Sequence, residues 1–425
     1  MTAQAQFAGR SPYDFSFQYL GLLLFMIGDG VEVGYLSPFL VKSGLTEHFV
    51  ALVFTVYGLA AAVSAWGSGV LCDRFGCRKV ILSGILLWVV PQILFLAIAV
   101  PSHSAWQILL TYGVRGFGYP LLAYGILTLL VREVRREQRG LASGLFWFCF
   151  TCGLPTLGTV VAGASLPVFG EYGTFWVAFL AVILGGGLSL VLLREEAPGS
   201  ADGHVSLPAP RDLLGVIRDN PSLVLTCVVR AINSSATHGI IVFMPFYFMT
   251  TLGLSNAQWL RFLETIFASN IVCNVFFGAL SDRFSWRATI MWVGGVGSGL
   301  ACLLLYWVPA RFGHVSPAAL YGAAAFFGLT LAGYVPLSAL APSLLPERKG
   351  LAMSFLNFGA GCSVWLGPLI VYVFQPFIGV AGVLSVYALL FVISGVLVHF
   401  IRLPQEIAPS PVRDLSSFAF SPAQR

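Results

Sequence analysis

Three charged side chains stand in the middle of apolar runs. Asp29 and Glu32 fall inside the first such run and Arg115 inside the fourth. A charge at mid-bilayer costs about 2.5–3.5 kcal/mol on insertion scales, so each of them has a functional reading by default. Asp29 and Glu32 are three apart and share one helix face. At 1.5 Å per residue they lie about 18–22 Å along their helix, near or just past the middle of a bilayer. Arg115 sits about nine residues from the start of its own run, the periplasmic end, and so at comparable depth. Its guanidinium keeps its proton and its fork suits a carboxylate, so it is expected to pair with Asp29 or Glu32. Two acids against one base leave one carboxyl short of a partner and able to take up and release a proton. The plainer alternative is a permanent structural ion pair, with Glu32 neutral or wet.

A second polar set follows later in the chain. Arg230 and Asn233 are three apart in the seventh run, with His238 further along it, and Glu264, Asn270 and Asn274 occupy the eighth. Arg230 is expected to pair with Glu264 or to donate to ligand hydroxyls, while Asn233 and Asn270 offer both donors and acceptors. His238 reads either as a pH-sensitive group or as a satisfied packing residue. Asn274 reads as glue between helices.

The elements that must carry these residues are membrane helices. The chain has 425 residues, of which 57% are hydrophobic and 10% charged, and its mean hydropathy is +0.86. A soluble protein carries about 25% charged residues. Apolar runs long enough to cross about 30 Å of hydrocarbon recur twelve times. They fall near 17–40, 49–71, 80–100, 106–131, 141–165, 174–193, 222–249, 257–280, 288–308, 317–344, 351–374 and 379–401. The Pro-, Gly- and charge-rich stretch between the sixth and seventh divides them. The expected organisation is an N-terminal segment (1–16), a six-helix bundle (17–194), a linker (195–221), a second bundle (222–401) and a tail (402–425). Pro91, Pro120, Pro155, Pro245, Pro336 and Pro368 interrupt the runs and are expected to kink them.

Lys and Arg cluster in alternate loops, at Arg74, Arg78, Lys79, Arg132, Arg135, Arg136, Arg139, Arg283, Arg287, Arg348 and Lys349. The positive-inside rule then puts both termini in the cytoplasm. This rule also accounts for the net charge of +5, with no nucleic-acid surface needed. The first residues show no cleavable leader pattern. Six of the eight cysteines lie in apolar runs, and Cys149-x-x-Cys152 reads as small hydrophobic packing with no metal set around it. No cofactor is expected.

One heptapeptide pattern occurs twice, GVLCDRF from Gly69 and GALSDRF from Gly278. EQRGLASGLFWF from Glu137 is echoed by ERKGLAMSFLNF from Glu347, and Tyr112-Gly113 by Tyr321-Gly322, at nearly the same spacing. The six-helix unit is therefore duplicated. Parallel repeats of this kind build transporters whose substrate site lies between the halves.

GVLCDRFGCRK (69–79) resembles the loop between helices two and three that marks the major facilitator superfamily. The second copy is weaker, with Ser285 in place of a glycine. FMIGDGVEVGYLS from Phe25, LVFTVYGLAAAVSAW from Leu52, YGVRGFGYPLLAY from Tyr112 and VRAINS from Val229 resemble that superfamily's bacterial polyol permeases for ribitol and D-arabinitol. The resemblance implies an all-α fold of twelve transmembrane helices in two pseudo-symmetric bundles, working by alternating access. It implies proton-coupled uptake of a small sugar alcohol, in a monomer of the bacterial inner membrane. Gly69, Asp73, Arg74, Gly76, Arg78, Asp282 and Arg283 would then bias the conformational cycle, with Asp73 pairing to the facing half in one state. Tyr119, Tyr124, Trp147, Asn357 and Trp365 would join Asp29, Glu32, Arg115, Arg230, Asn233, His238 and Asn270 around the substrate.

The nearest alternative on the same fold is proton-driven export of drugs or other small organic compounds. GLPTLG from Gly153 is a poor match to the glycine-proline pattern of such exporters. An enzyme lacks support, since no nucleophile, metal or phosphate-loop motif is present.

Overall fold

The computed structural model describes residues 10–135, 138–191, 193, 218–283, 285–345 and 349–401, and they are nearly all helical. Nine helical stretches among them are long and apolar enough to cross a membrane. Two of these are double. Leu141–Leu190 and Phe355–His399 each reverse at a glycine with positive φ, Gly170 at 70° and Gly379 at 62°. Side chains other than glycine rarely adopt that conformation. Asn256–Arg283 adds 28 residues of helix, enough to span despite Arg261 and Glu264.

The twelve crossings are α1 (Pro12–Lys42), α2 (Glu47–Phe75), α3 (Cys77–Ala99), α4 (Ala105–Glu133), α5 (141–169), α6 (171–190), α7 (Pro221–Thr251), α8 (Asn256–Arg283), α9 (Trp286–Phe312), α10 (Pro317–Leu344), α11 (355–378) and α12 (380–399). The two glycine reversals hold equivalent places in the halves, at the spacing that separates Gly69 from Gly278. Most of the linker and the tail lie outside the described residues.

Three helices are broken where the sequence puts its costly polar groups or prolines. α1 loses helical geometry over 32–35 and resumes at Leu36. α4 breaks at 116–117, directly after Arg115 and shortly before Pro120. Its counterpart α10 breaks over 333–336, ending at Pro336. The prolines at 91, 155 and 245 act differently. Pro155 lies within a widened π-turn, Cys152–Leu157, while Pro91 and Pro245 stand within a turn of helix before the ones at Phe95–Ala99 and Tyr247–Thr251. A proline has no N–H and crowds the preceding turn, and widening the helix absorbs both defects. Pro368 sits in unbroken helix.

Packing across the halves is uneven from face to face. One buried apolar core runs through the C-terminal bundle and, on the face opposite the Arg74 and Arg132 loops, into the N-terminal one, with Tyr35, Phe39, Val242, Trp259, Leu260 and Val371 among its members. On the basic-loop side, the N-terminal bundle has a core of its own, and a small one forms around Leu223, Ala352 and Phe355. Polar contacts among the described residues also join the halves on the face opposite the basic loops. Ser37 Oγ donates to the Val242 carbonyl, Trp259 Nε1 to the Gly34 carbonyl at 2.7 Å, and Gln375 Nε2 to Glu47 Oε2 at 2.9 Å. His48 stacks on Tyr372 at 4.1 Å. The face away from the basic loops is sealed.

Candidate functional site

The N-terminal bundle holds a compact buried polar cluster built from four helices. α1 brings Asp29 and Glu32, α2 Tyr57, α3 Trp88 and Gln92, and α4 Arg115. Arg115 and Glu32 are each 1% exposed and Asp29 4%. A close approach of helices sets the depth of α1. A methyl group at Gly30 would run into the Leu154 backbone of α5, so only glycine lets α1 pack there.

Arg115 engages both carboxylates at once. One terminal nitrogen donates to Glu32 Oε2 and also to Gln92 Oε1 at 2.7 Å. The other donates to Asp29 Oδ1 at 3.0 Å. The expectation of a pair with one acid or the other gives way to a shared fork, because the two acids lie a helical turn apart on the side facing α4. Gln92 Nε2 closes the ring by donating to Glu32 Oε1 at 2.6 Å. Trp88 Nε1 donates to Asp29 Oδ1 at 2.6 Å. The guanidinium lies over the Trp88 ring at 4.2 Å and the Tyr112 ring at 4.9 Å.

Two ionised acids and one arginine leave this cluster one negative charge in surplus, in a region where an uncompensated charge is costly. The oxygens are not equivalent. Both Glu32 oxygens face nitrogens that only donate, those of Arg115 and of the Gln92 amide, whose own oxygen is taken by Arg115. Asp29 Oδ1 likewise faces Trp88 and Arg115. Asp29 Oδ2 meets only the Tyr57 hydroxyl, at 3.4 Å, and a hydroxyl can turn to accept. A proton on Asp29 Oδ2 therefore fits without breaking any other contact.

Trp88, Gln92 and Tyr57 are not visible as site residues in the sequence. The one available signal was an amide four residues after a tryptophan in an otherwise apolar helix, one turn of spacing onto a single face.

The second polar set lies apart from this cluster. Arg230 is half-buried on α7, and its Nη1 reaches Asn233 Oδ1 at 3.5 Å. No described contact joins it to Glu264, whose electrostatic neighbour is Arg261. His238 Nδ1 sits 2.8 Å from the Ser234 carbonyl, so that nitrogen carries the hydrogen. Asn270 donates to the Gly328 carbonyl at 3.1 Å and accepts from Asn274 at 3.3 Å, tying α8 to α10. Tyr119 stacks with Tyr57 at 6.3 Å, and Tyr124 meets Trp147 edge-on at 6.4 Å. Asn357 and Trp365 are half-buried on α11, where the Trp365 backbone crosses Gly58 of α2.

Of the loop residues, Asp73 pairs with Arg132 at the end of α4, within its own half. Gly76 has φ 89° at the corner between α2 and α3, Arg74 lies over the Phe75 ring at 5.2 Å, and Gly69 borders open space. Arg78 is engaged in its own surroundings. The side chains of Asp282 and Arg283 lie outside the described residues.

Known proteins share this architecture and sequence. The Major Facilitator Superfamily model matches residues 19–269 and 261–423. The chain is 39% identical to the alpha-ketoglutarate permease of Bacillus subtilis (strain 168), over 91% of this chain and 89% of that one. It is 35% identical to the D-arabinitol transporter and 34% to the ribitol transporter of Klebsiella pneumoniae, covering 93% of both chains in each case. A bacterial homolog of the human lysosomal transporter Spinster, solved in an inward-facing and occupied conformation, superposes with a TM-score of 0.71. It is 16% identical and covers 92% of this chain and 97% of its own. The repeated signature loop, the twelve crossings in two bundles and these full-length matches converge: the chain belongs to the Major Facilitator Superfamily and is a multi-pass membrane transporter.

Proposed function

We propose that this transporter is a proton-coupled symporter that takes up a small hydroxylated organic solute, with sugar alcohols such as ribitol or D-arabinitol as the first class to test. One observation carries the coupling: Arg115 serves two buried carboxylates, and one Asp29 oxygen faces only the reversible Tyr57 hydroxyl. Protonation at Asp29 neutralises the cluster, and deprotonation restores its charge. A cluster that alternates in this way gives the two faces of the cycle different electrostatic costs. The basic loops face the cytoplasm under the positive-inside rule. In that orientation the sealed face is the outer one, and the solute leaves toward the cytoplasm. Similarity to the two Klebsiella polyol transporters supports the solute class.

The experiment is transport in proteoliposomes with external pH followed as ribitol, D-arabinitol, xylitol and mannitol are added singly. Alkalinisation with one solute, lost in Asp29→Asn while solute exchange persists, is the expected result. Uptake without proton movement, unchanged in Asp29→Asn, refutes the coupling and leaves Asp29 structural.

A further inference from the structure

We propose that the C-terminal half carries a carboxylate-binding subsite at Arg230 and Asn233, so that the transported solute is a small hydroxy- or oxo-carboxylic acid. This replaces the sugar alcohols named above with an acid of similar size, and rests on the symport reading only for the coupled proton.

The first support is an unneutralised cation. Ion pairs among the described residues include Lys42–Glu171, Arg115–Asp29, Arg115–Glu32 and Arg132–Asp73, and none of these involves Arg230. It is half-buried on a helix that faces the other bundle. Tyr124 of α4, across the interface between halves, and His238 lie within its electrostatic reach.

The second support is independent of charge. Asn233 is 6% exposed, and its amide is oriented by its neighbours. Its oxygen accepts from Arg230 at 3.5 Å and from the Ser234 hydroxyl at 3.2 Å. Its Nδ2 is left buried and has no partner. A buried donor without an acceptor costs about 1–3 kcal/mol, which a ligand oxygen would recover.

Arg230 and Asn233 together present donors only, around one positive charge. A carboxylate supplies acceptor oxygens and the opposite charge, and guanidinium matches its planar geometry. A polyol hydroxyl accepts a hydrogen bond yet leaves the cation uncompensated. The two halves also balance. The α1–α4 cluster carries one surplus negative charge and Arg230 one positive charge. One proton neutralises the first and one monocarboxylate neutralises the second, so the fully loaded carrier has no unpaired charge at either site. The matched relative from Bacillus subtilis is described as an alpha-ketoglutarate permease; that solute has two carboxylates, and the same balance would take a second proton.

The test compares D-ribonate with ribitol, which differ only in a terminal carboxylate against a CH2OH, together with 2-oxoglutarate. Uptake is measured in proteoliposomes under an imposed membrane potential. The expected result is at least a tenfold preference for one of the acids over ribitol. Ribonate entry with one proton should be insensitive to potential, whereas proton entry with ribitol would be accelerated by a negative interior. Arg230→Gln should raise the KM for the acid about a hundredfold, and Arg230→Lys should restore part of it. Ribitol transported as well as both acids, or neither acid transported, overturns the carboxylate subsite. Should Arg230→Gln fail to fold, the wild-type preference and its response to potential still decide. Acid uptake without proton movement would instead sink the symport reading and leave the subsite standing.

Discussion

Replacing Arg115 with glutamine strands two buried carboxylates. In the native cluster the guanidinium holds Asp29, Glu32 and Gln92 together and stacks against Trp88. Removing one partner of a buried ion pair costs about 3–5 kcal/mol. Arg115→Gln breaks two such pairs and leaves the cluster two charges from neutral, so its loss should reach at least that range. Asp29→Asn differs from it in sign of charge and in geometry. Its Oδ1 keeps Trp88 and Arg115, its amide nitrogen can donate to the Tyr57 hydroxyl, and the surplus charge disappears. Its stability should stay within about 1 kcal/mol of wild type. The double variant Asp29→Asn/Arg115→Gln leaves one stranded acid where the single arginine variant leaves two. Part of the loss should return, as a coupling of about 1–3 kcal/mol between residues in contact. Thermal unfolding of purified protein in one detergent at one scan rate ranks the four proteins. The expected order is Arg115→Gln lowest, then the double variant, then Asp29→Asn and wild type together. Asp29→Asn falling as far as Arg115→Gln would show that both acids are needed as ions and would refute the surplus-charge reasoning.

Gly30→Val forces a side chain into the Leu154 backbone and should destabilise by at least about 1–3 kcal/mol, read as a lower unfolding temperature and reduced yield of folded protein. Trp259→Phe removes the hydrogen bond to the Gly34 carbonyl across the sealed face. It should shift the conformational equilibrium by about 0.5–1.5 kcal/mol toward opening there, measured as faster labelling of a single cysteine placed at Tyr35. His48→Cys with Tyr372→Cys, in a background freed of the eight native cysteines, should be bridged by a short bifunctional thiol reagent with arrest of transport; free turnover after complete bridging would argue against alternating access at that face. Arg132→Ala breaks a half-exposed pair with Asp73 and should change stability by less than about 1 kcal/mol, with any larger effect confined to transport rate.

The crossings were legible because hydropathy over twenty residues reads the bilayer directly. The central acids and Arg115 were legible for the converse reason, since few structural roles justify a charge there. Repeated motifs gave the pseudo-symmetry, and the glycines at 170 and 379 later proved to share its spacing. What the sequence hides is geometry that depends on four helices at once. Nothing local says that Arg115 forks to both acids, or that Trp88 and Gln92 complete the ring, because a tryptophan and an amide beside Pro91 also suit ordinary packing. The break in α1 was equally hidden: 32–35 contains one glycine and no proline, and its unwinding follows from Glu32 turning toward α3 and α4. The positions of Arg230 and Asn233 were readable, but the unpartnered donor at Asn233 depends on how Ser234 orients the amide.

The apolar seal between halves has a thermal consequence. Opening that face brings side chains such as Tyr35, Phe39, Trp259 and Leu260 into contact with water. Hydration of apolar surface raises heat capacity and is least unfavourable in the cold. The equilibrium between the two states should therefore bend with temperature, and cooling should loosen the seal. A carrier of this build should be poised by water structure as well as by its ligands, so that its resting state shifts with temperature.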